Sequence, residues 1–348
     1  MSDCCSANTS NTSCCCAGAA APAANIPAVS TSLSWRDKLG AWKVRWGIGR
    51  MNYTVDPGLY AVGRPDHSSP VLVSANYKLT FDSLRRELGG LDCWLLILDT
   101  KGVNVWCAAG KGTFGTAELV NRLTQSGLAS VVSHKKLILP QLGAVGVSAH
   151  EVKRQSGFTV IYGPVRAGDI KAFLAAGNQA TEQMRQVEFN LKDRLALAPM
   201  EFLPASKKSI FLFGVLFVLN LVAINPFGPA DFVALSGAVL AGTLVTPALL
   251  PYIPGRAFAL KGGLVGLLWA MVVILLYGWL GAGGWLTASG YLLLLPAITA
   301  YLAMNFTGTS TYTSYSGVMK EMRAAIPVMA LAAVAGAILL LLSHLCGL

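Results

Sequence analysis

The chain has 348 residues, 54% of them hydrophobic, and a net charge of +10 from 27 Lys+Arg against 17 Asp+Glu. The charge is concentrated at one end: 23 of the basic and 15 of the acidic residues precede Ser209. The remainder has too little polar surface to face water and belongs in a bilayer, so a single soluble domain is excluded. No nucleic-acid motif accompanies the positive charge, which is read as orientation and attraction to anionic headgroups.

Residues 1–34 are rich in Ser, Ala, Asn and Cys without periodicity and read as a disordered tail. They lack a basic stretch followed by an apolar run, so no cleavable signal peptide is expected. Cys4, Cys5, Cys14, Cys15 and Cys16 match no zinc spacing; in a reducing cytoplasm they stay thiols and can bind soft metals.

Residues 35–208 form the soluble domain. Pro70–Ser74 reads as a strand, Phe81–Leu88 as a helix and Trp94–Leu98 (WLLIL) as a fully buried strand. Thr116–Leu123 reads as a helix, Ser130–Ser133 and Phe158–Tyr162 as strands, and Gly168–Ala176 as a helix. Alternation of this kind predicts a three-layer α/β (Rossmann-like) domain with a mostly parallel sheet. Ligands of such sheets sit at the carboxyl ends of the strands.

Residues 209–348 are expected to form an all-α transmembrane domain of five helices: Ile210–Ile224, Phe232–Leu250, Phe258–Leu280, Trp285–Met304 and Ile326–Leu345. Lys207, Lys208, Arg256, Lys261, Lys320 and Arg323 all fall on one side of this arrangement. The positive-inside rule then puts the soluble domain in the cytoplasm, on the inner membrane, and the C-terminus outside. Asp231, Asn220 and Asn305 read as helix-packing or loop residues. The Thr/Ser-rich stretch Asn305–Glu321 reads as a solvated linker or a dock for the soluble domain or a partner protein.

The segment Asn104–Thr113 (NVWCAAGKGT) follows the buried strand and precedes the helix at Thr116. It fails as a phosphate loop, since Val105 and Gly112 stand where Gly and Ser/Thr are needed. Gly110-x-Gly112-x-x-Gly115 matches a dinucleotide fingerprint, but no acid follows about 20 residues on. A Cys–His pair with His67, His134 or His150 has no family-like spacing. A plain packed thiol is the default for Cys107. Against it, Ala108, Ala109 and Gly110 strip bulk from one face, while Lys111 and a helix N-terminus favour thiolate.

The stretch DTKGVNVWCAAGKGTFGTAELVNRL resembles the large-subunit corrinoid proteins of the acetyl-CoA pathway. Within that group it is most similar to the membrane-bound mercury-methylating corrinoid proteins of anaerobes. WKVRWGIGRMNYTVDPGLYAVGRP, VLVSANYKLTFDSLRREL and MNFTGTSTYTSYSGVMKEM carry the likeness further. The resemblance implies that residues 35–208 bind a corrinoid (cobalamin), with Asn104–Lys111 as a cap helix under the ring and Cys107 as the lower axial ligand of cobalt.

Asn104 and Trp106 would orient that helix, Ala108, Ala109 and Gly110 would admit the ring, Lys111 would meet a corrin amide or phosphate edge, and Val105 would be among the cofactor-binding residues. Ser74, where a Thr is expected, would keep a polar contact. The D-x-H-x-x-G signature is absent at Asp66-His67, which argues against a His ligand. The implied activity is a methyltransferase: cysteine-ligated methylcobalamin gives its methyl group to inorganic Hg(II). The alternative is a membrane-bound methyl carrier of the acetyl-CoA (Wood–Ljungdahl) pathway, and a sensor or transporter without a corrinoid is the non-enzymatic reading. The implied partners are a ferredoxin-like protein with [4Fe–4S] clusters as electron donor, a methyl donor of the folate/acetyl-CoA pathway, and membrane lipid.

Overall fold

The computed structural model describes residues 26–221, 228–281, 283–309 and 315–346. The cysteines of the N-terminal tail lie outside these residues.

The α/β part runs β1 (Ala28–Val29), α1 (Trp35–Arg45), β2 (Gly58–Val62), β3 (Val71–Ala75), α2 (Lys78–Glu87) and β4 (Cys93–Leu98). It continues through α3 (Val105–Lys111), α4 (Thr116–Gln125), α5 (Leu128–Val131), β5 (Lys136–Leu139), α6 (Ala149–Ser156), β6 (Thr159–Tyr162), α7 (Ile170–Ala175) and α8 (Glu182–Arg185). The six strands lie in the order β1-β2-β4-β3-β5-β6. β4, β3, β5 and β6 are parallel; β2 runs antiparallel to β4, and β1 pairs parallel with β2.

The central strands are apolar on both faces because both are covered. Leu96 and Leu98 pack with Val105, Ala108, Leu119 and Leu128 of α3, α4 and α5. Leu95 and Ile97 pack on the other side with Phe81 and Leu84 of α2 and Phe173 of α7.

Two expectations are corrected. Ser130–Ser133 is not a strand: Leu128–Val131 closes a short helix and the strand is Lys136–Leu139. Val131 and Val132 favour a strand locally, but Leu128 is fully buried in the core on the helical side, and that packing wins. The ordered chain also begins before Trp35. Ala28 and Val29 pair with Ala61 and Val62, and Ser34 caps α1 through a reciprocal pair of bonds with Asp37.

That N-terminal strap is fastened by charge. Arg85 is buried, donates to Asp82 and Asp37, and donates to the carbonyls of Ser30 and Ser32. Lys78 joins the same two carboxylates at 2.6 and 2.7 Å.

A 31-residue helix, α9 (Leu191–Leu221), leads from the α/β part into an apolar helical region. There follow α10 (Pro229–Leu240), a π-helical turn at Ala241–Val245, α11 (Thr246–Leu249), α12 (Phe258–Leu276), α13 (Trp285–Asn305) and α14 (Tyr315–Cys346). The π turn sits just before Pro247, which has no N–H to continue the ladder.

Four segments among the described residues are long and apolar enough to cross a membrane: Pro229–Leu249, Phe258–Leu276, Trp285–Asn305 and Gly317–His344. The fifth expected span, Ile210–Ile224, falls in α9 and runs on into residues 222–227, outside the described residues. The stretch Asn305–Glu321 is partly helical, since α14 already carries Lys320 and Glu321; residues 310–314 lie outside the described residues. Asp231 is buried, accepts from the Gly228 amide and from the Tyr291 hydroxyl, and so ties α10 to α13.

Candidate functional site

The carboxyl end of β4 feeds a tightly held loop, Asp99–Asn104. Asn76, one residue past β3, is 5% exposed and holds this loop from the side. Its Oδ1 accepts from the Thr100 amide (3.1 Å), the Thr100 hydroxyl (2.8 Å) and the Gly102 amide (3.1 Å). Its Nδ2 donates to Asp99 at 3.3 Å. Thr100 is fully buried, and its single hydroxyl proton is shared between Asn76 Oδ1 and the Val103 carbonyl, 2.6 Å away.

Glu118 of α4 accepts from the Asp99 amide. Hydrogen bonding from Lys101 leads the influences that hold the Asp99 carboxyl below the usual carboxylate range. At Gly102 the backbone is left-handed (φ +70°) and an added Cβ would lie 2.8 Å from Thr54 Cγ2, so the turn requires glycine.

This loop delivers the seven-residue helix α3. Asn104 is its N-cap and accepts from the Cys107 amide at 2.9 Å. Gly112, left-handed at φ +81°, ends it. Val105, Ala108 and Ala109 are buried in the core, whereas Trp106, Gly110 and Lys111 are exposed and Cys107 is half-exposed.

The helix therefore has two faces with different reasons for being small. Ala108 and Ala109, expected to admit a ring, instead face the protein. Ala109 is small because the backbone of the Gln141–Val147 turn lies against it: a Cβ on Gly146 would sit 3.0 Å from Ala109 Cα and 2.2 Å from the Phe114 carbonyl oxygen. Gly110 is the opposite case, since an added Cβ there meets nothing within 4 Å. The open face of α3 is thus Trp106, Cys107 and Gly110.

Beside it is a cleft of ≈ 440 Å³ at the carboxyl ends of β3, β5 and β6. β3 connects through α2 to β4 on one side, and β4 connects through α3–α5 to β5 on the other. The cleft lies at that reversal of strand order, where α/β sheets bind ligands. Ser74, Asn104, Val105 and Trp106 line it, with Arg45, Tyr77, Thr80 and Ser83. Ser74 is 3% exposed, and among the described residues none hydrogen-bonds its hydroxyl. The structure thus brings Ser74 and Asn104–Trp106 to one cleft, with Cys107 and Gly110 on the adjoining face.

The other titratable groups singled out in the sequence are elsewhere. His134 bonds the Ser69 carbonyl and the His67 carbonyl accepts from Ser133, all at the amino ends of the strands. Cys93 begins β4, and burial pushes its thiol up to about 12, so it is a packing residue. Among the described residues no three His, Cys, Asp or Glu side chains gather to hold a metal ion. Cys107 thus stands as a single donor among the described residues, and a metal carried in a macrocycle, which brings its own further ligands, fits that donor set.

Asn76 is the residue that sequence reasoning missed. Its signal was faint: a polar side chain directly after five buried strand residues.

The family described as CO dehydrogenase/acetyl-CoA synthase delta subunit matches residues 47–174. The chain is similar to acetyl-CoA decarbonylase/synthase complex subunit gamma of Methanocaldococcus jannaschii, with 32% identity over 127 residues, 36% of this chain and 26% of the relative. It is similar to the same subunit of Methanopyrus kandleri, with 32% identity over 122 residues, 34% of this chain and 26% of the relative. Subunit gamma 2 of Methanosarcina thermophila is 34% identical over 123 residues, again 34% and 26%. The chain thus spans about a quarter of the length of these relatives.

Proposed function

We propose that the chain is a corrinoid-dependent methyl-transfer protein in which the Cys107 sulfur would hold the cobalt of the corrinoid. The observation that carries this reading is a lone thiol on the open face of a short, pinned helix, beside the cleft at the reversal of strand order. Asn104 fixes the first turn of α3, and Asn76 fixes the loop that aims it. Trp106 and Gly110 border the thiol on the open face, and Ser74 offers a hydroxyl in the cleft. Val105, Ala108 and Ala109 act from behind, by seating the helix in the core. Lys111, one turn after Cys107, places a cation at the rim.

A corrinoid held there supplies the methyl-transfer chemistry, and a thiolate donor makes it electron-rich enough to suit a soft acceptor. We infer inorganic Hg(II) as that acceptor, which makes the chain a methylmercury-forming methyltransferase. The thiol donor supports this, as does an apolar helical half that the matched segment 47–174 does not include. The names of the relatives better support the other acceptor, the acetyl-CoA pathway, with the chain as a membrane-bound methyl carrier. Either reading needs a low-potential electron donor, for which a ferredoxin-like [4Fe–4S] protein is suited, and a methyl donor of the folate/acetyl-CoA pathway. The basic loops support a cytoplasmic α/β domain.

The test is the visible and magnetic spectrum of the full chain purified from a corrinoid-producing host, as wild type, Cys107→Ala and Cys107→His. Bound corrinoid whose cobalt signature changes in both variants is expected. A wild-type protein without corrinoid, or a signature indifferent to Cys107, overturns the reading. Assaying the same proteins for methylmercury formation and for support of acetyl-CoA synthesis separates the two acceptors.

A further inference from the structure

The apolar helical region holds a cavity of ≈ 1250 Å³ between α12 and α14, floored by α13. α12 seats on α13 through Gly262 and Gly266, whose added Cβ atoms would come within 3 Å of Ala303 and Thr299. α14 makes its close approach near the other end of α13, where Gly336 and Gly290 meet. The two flanking helices are therefore pulled onto α13 at opposite ends, and a groove is left between them.

The walls of this groove are apolar, with Leu260, Leu264, Pro296 and Val328 among them. Its wall on α12 extends from Ala259 to Leu267 and on α14 from Gly317 to Ala332. At 1.5 Å per residue these are roughly 12 and 22 Å, which bracket the roughly 15 Å depth of one leaflet of a hydrocarbon core about 30 Å thick.

The charge is all at one end. Arg256 and Lys320 stand at the mouth, and among the described residues neither has an acidic partner. Glu321, the one acid there, is committed to the Ala259 amide at 2.7 Å, where it caps α12. This mouth opens toward the α/β part, because Phe258 and Phe306 beside it pack against Phe189 and Leu197 of the connecting segment.

We propose that this groove binds an anionic glycerophospholipid from the leaflet on the α/β side. One leaflet-length of apolar groove takes the acyl chains, and the Arg256 and Lys320 side chains take the phosphate headgroup. A second copy of the chain would bring the same unpaired cations to the same mouth, which disfavours it as the occupant.

The test is lipid analysis by mass spectrometry of the full chain purified in mild detergent from a membrane rich in both phosphatidylethanolamine and phosphatidylglycerol. Wild type is expected to retain phosphatidylglycerol well above its share of the membrane. Arg256→Gln/Lys320→Gln removes two cations, each worth about 1 kcal/mol near an anionic surface, and lowers retention roughly thirtyfold. Gly263→Leu leaves the cations in place and fills the groove, since the position has 3.9 Å to its nearest neighbour. It too is expected to lose the lipid, which keeps the test decisive if the charge variant fails to fold. Retention at membrane proportions in wild type, or undiminished retention in a folded variant, overturns the proposal. So does cysteine crosslinking between copies at Leu260 and Val328 with no lipid retained.

Discussion

Asn76 and Thr100 lie 24 residues apart in sequence and share two hydrogen bonds, 3.1 Å from the Thr100 amide and 2.8 Å from its hydroxyl. Both side chains are buried, so the end of β3 dictates the path of the chain leaving β4, and with it the position of Cys107. Asn76→Leu would leave the Thr100 and Gly102 donors without an acceptor, at about 1–3 kcal/mol for each group that stays buried. A fall of several degrees in thermal midpoint is expected, together with faster alkylation of Cys107 as α3 loosens. An Asn76→Leu protein with wild-type midpoint and labelling rate would remove this residue from the site.

The two faces of α3 make opposite predictions for two glycines. Gly146→Ala forces a Cβ against the Phe114 carbonyl and Ala109 Cα, backbone that cannot give way, and should destabilise the domain by more than 1 kcal/mol. Gly110→Ala meets nothing and replaces a helical glycine, so it should raise stability by about 0.5–1 kcal/mol. On the proposed function, the same Gly110→Ala protein retains less corrinoid. A variant that is more stable and loads fully would show that Gly110 is not on the ring-facing side.

Asn104 is expected to behave as a cap. Asn104→Ala should cost about 1 kcal/mol and expose the start of α3 to hydrogen exchange, whereas Asn104→Asp keeps an acceptor for the Cys107 amide and should recover most of the loss. Equal exchange protection in α3 for wild type and Asn104→Ala would contradict the assignment.

The N-terminal strap predicts a pH dependence. Burial raises the Asp37 carboxyl, but hydrogen bonds from Lys78, Ser34 and Arg85 outweigh it and hold the group well below the usual carboxylate range. A carboxylate depressed in the folded state adds stability that is complete above its unfolded value of about 3.9 and declines as pH falls from there toward the folded value. Asp37→Asn should therefore unfold at lower temperature than wild type at pH 7, with the gap narrowing below about pH 4. A gap that stays constant from pH 7 to pH 3 would show that the carboxylate charge is not what fastens the strap.

Several of these features were legible from sequence for definite physical reasons. WLLIL announces a strand covered on both faces, and alternation with helices then implies a parallel sheet with its ligand edge at the carboxyl ends. The long apolar helices announce themselves by length. Asn104 and the glycine ending α3 are local signals. The role of Asn76 was not legible, because it exists only once two strands far apart in sequence lie side by side. The burial of Ala108 and Ala109 was not legible either, because smallness looks the same in sequence whether it serves a ligand or a neighbouring turn. β1 and β2 are short, and only their pairing with β4 and each other makes them strands.

The long helix α9 carries Pro199 and Pro204 within its continuous length. Each proline deletes one rung of the helical ladder, so a bend between the α/β part and the apolar helices costs least in that stretch. Ala198 and Ala205 are buried there, and Arg50 contacts Met200. The joint is therefore loosened at its two prolines and braced at the Arg50–Met200 contact, so a change of angle between the Cys107 domain and the apolar helices is expected to begin between Pro199 and Pro204.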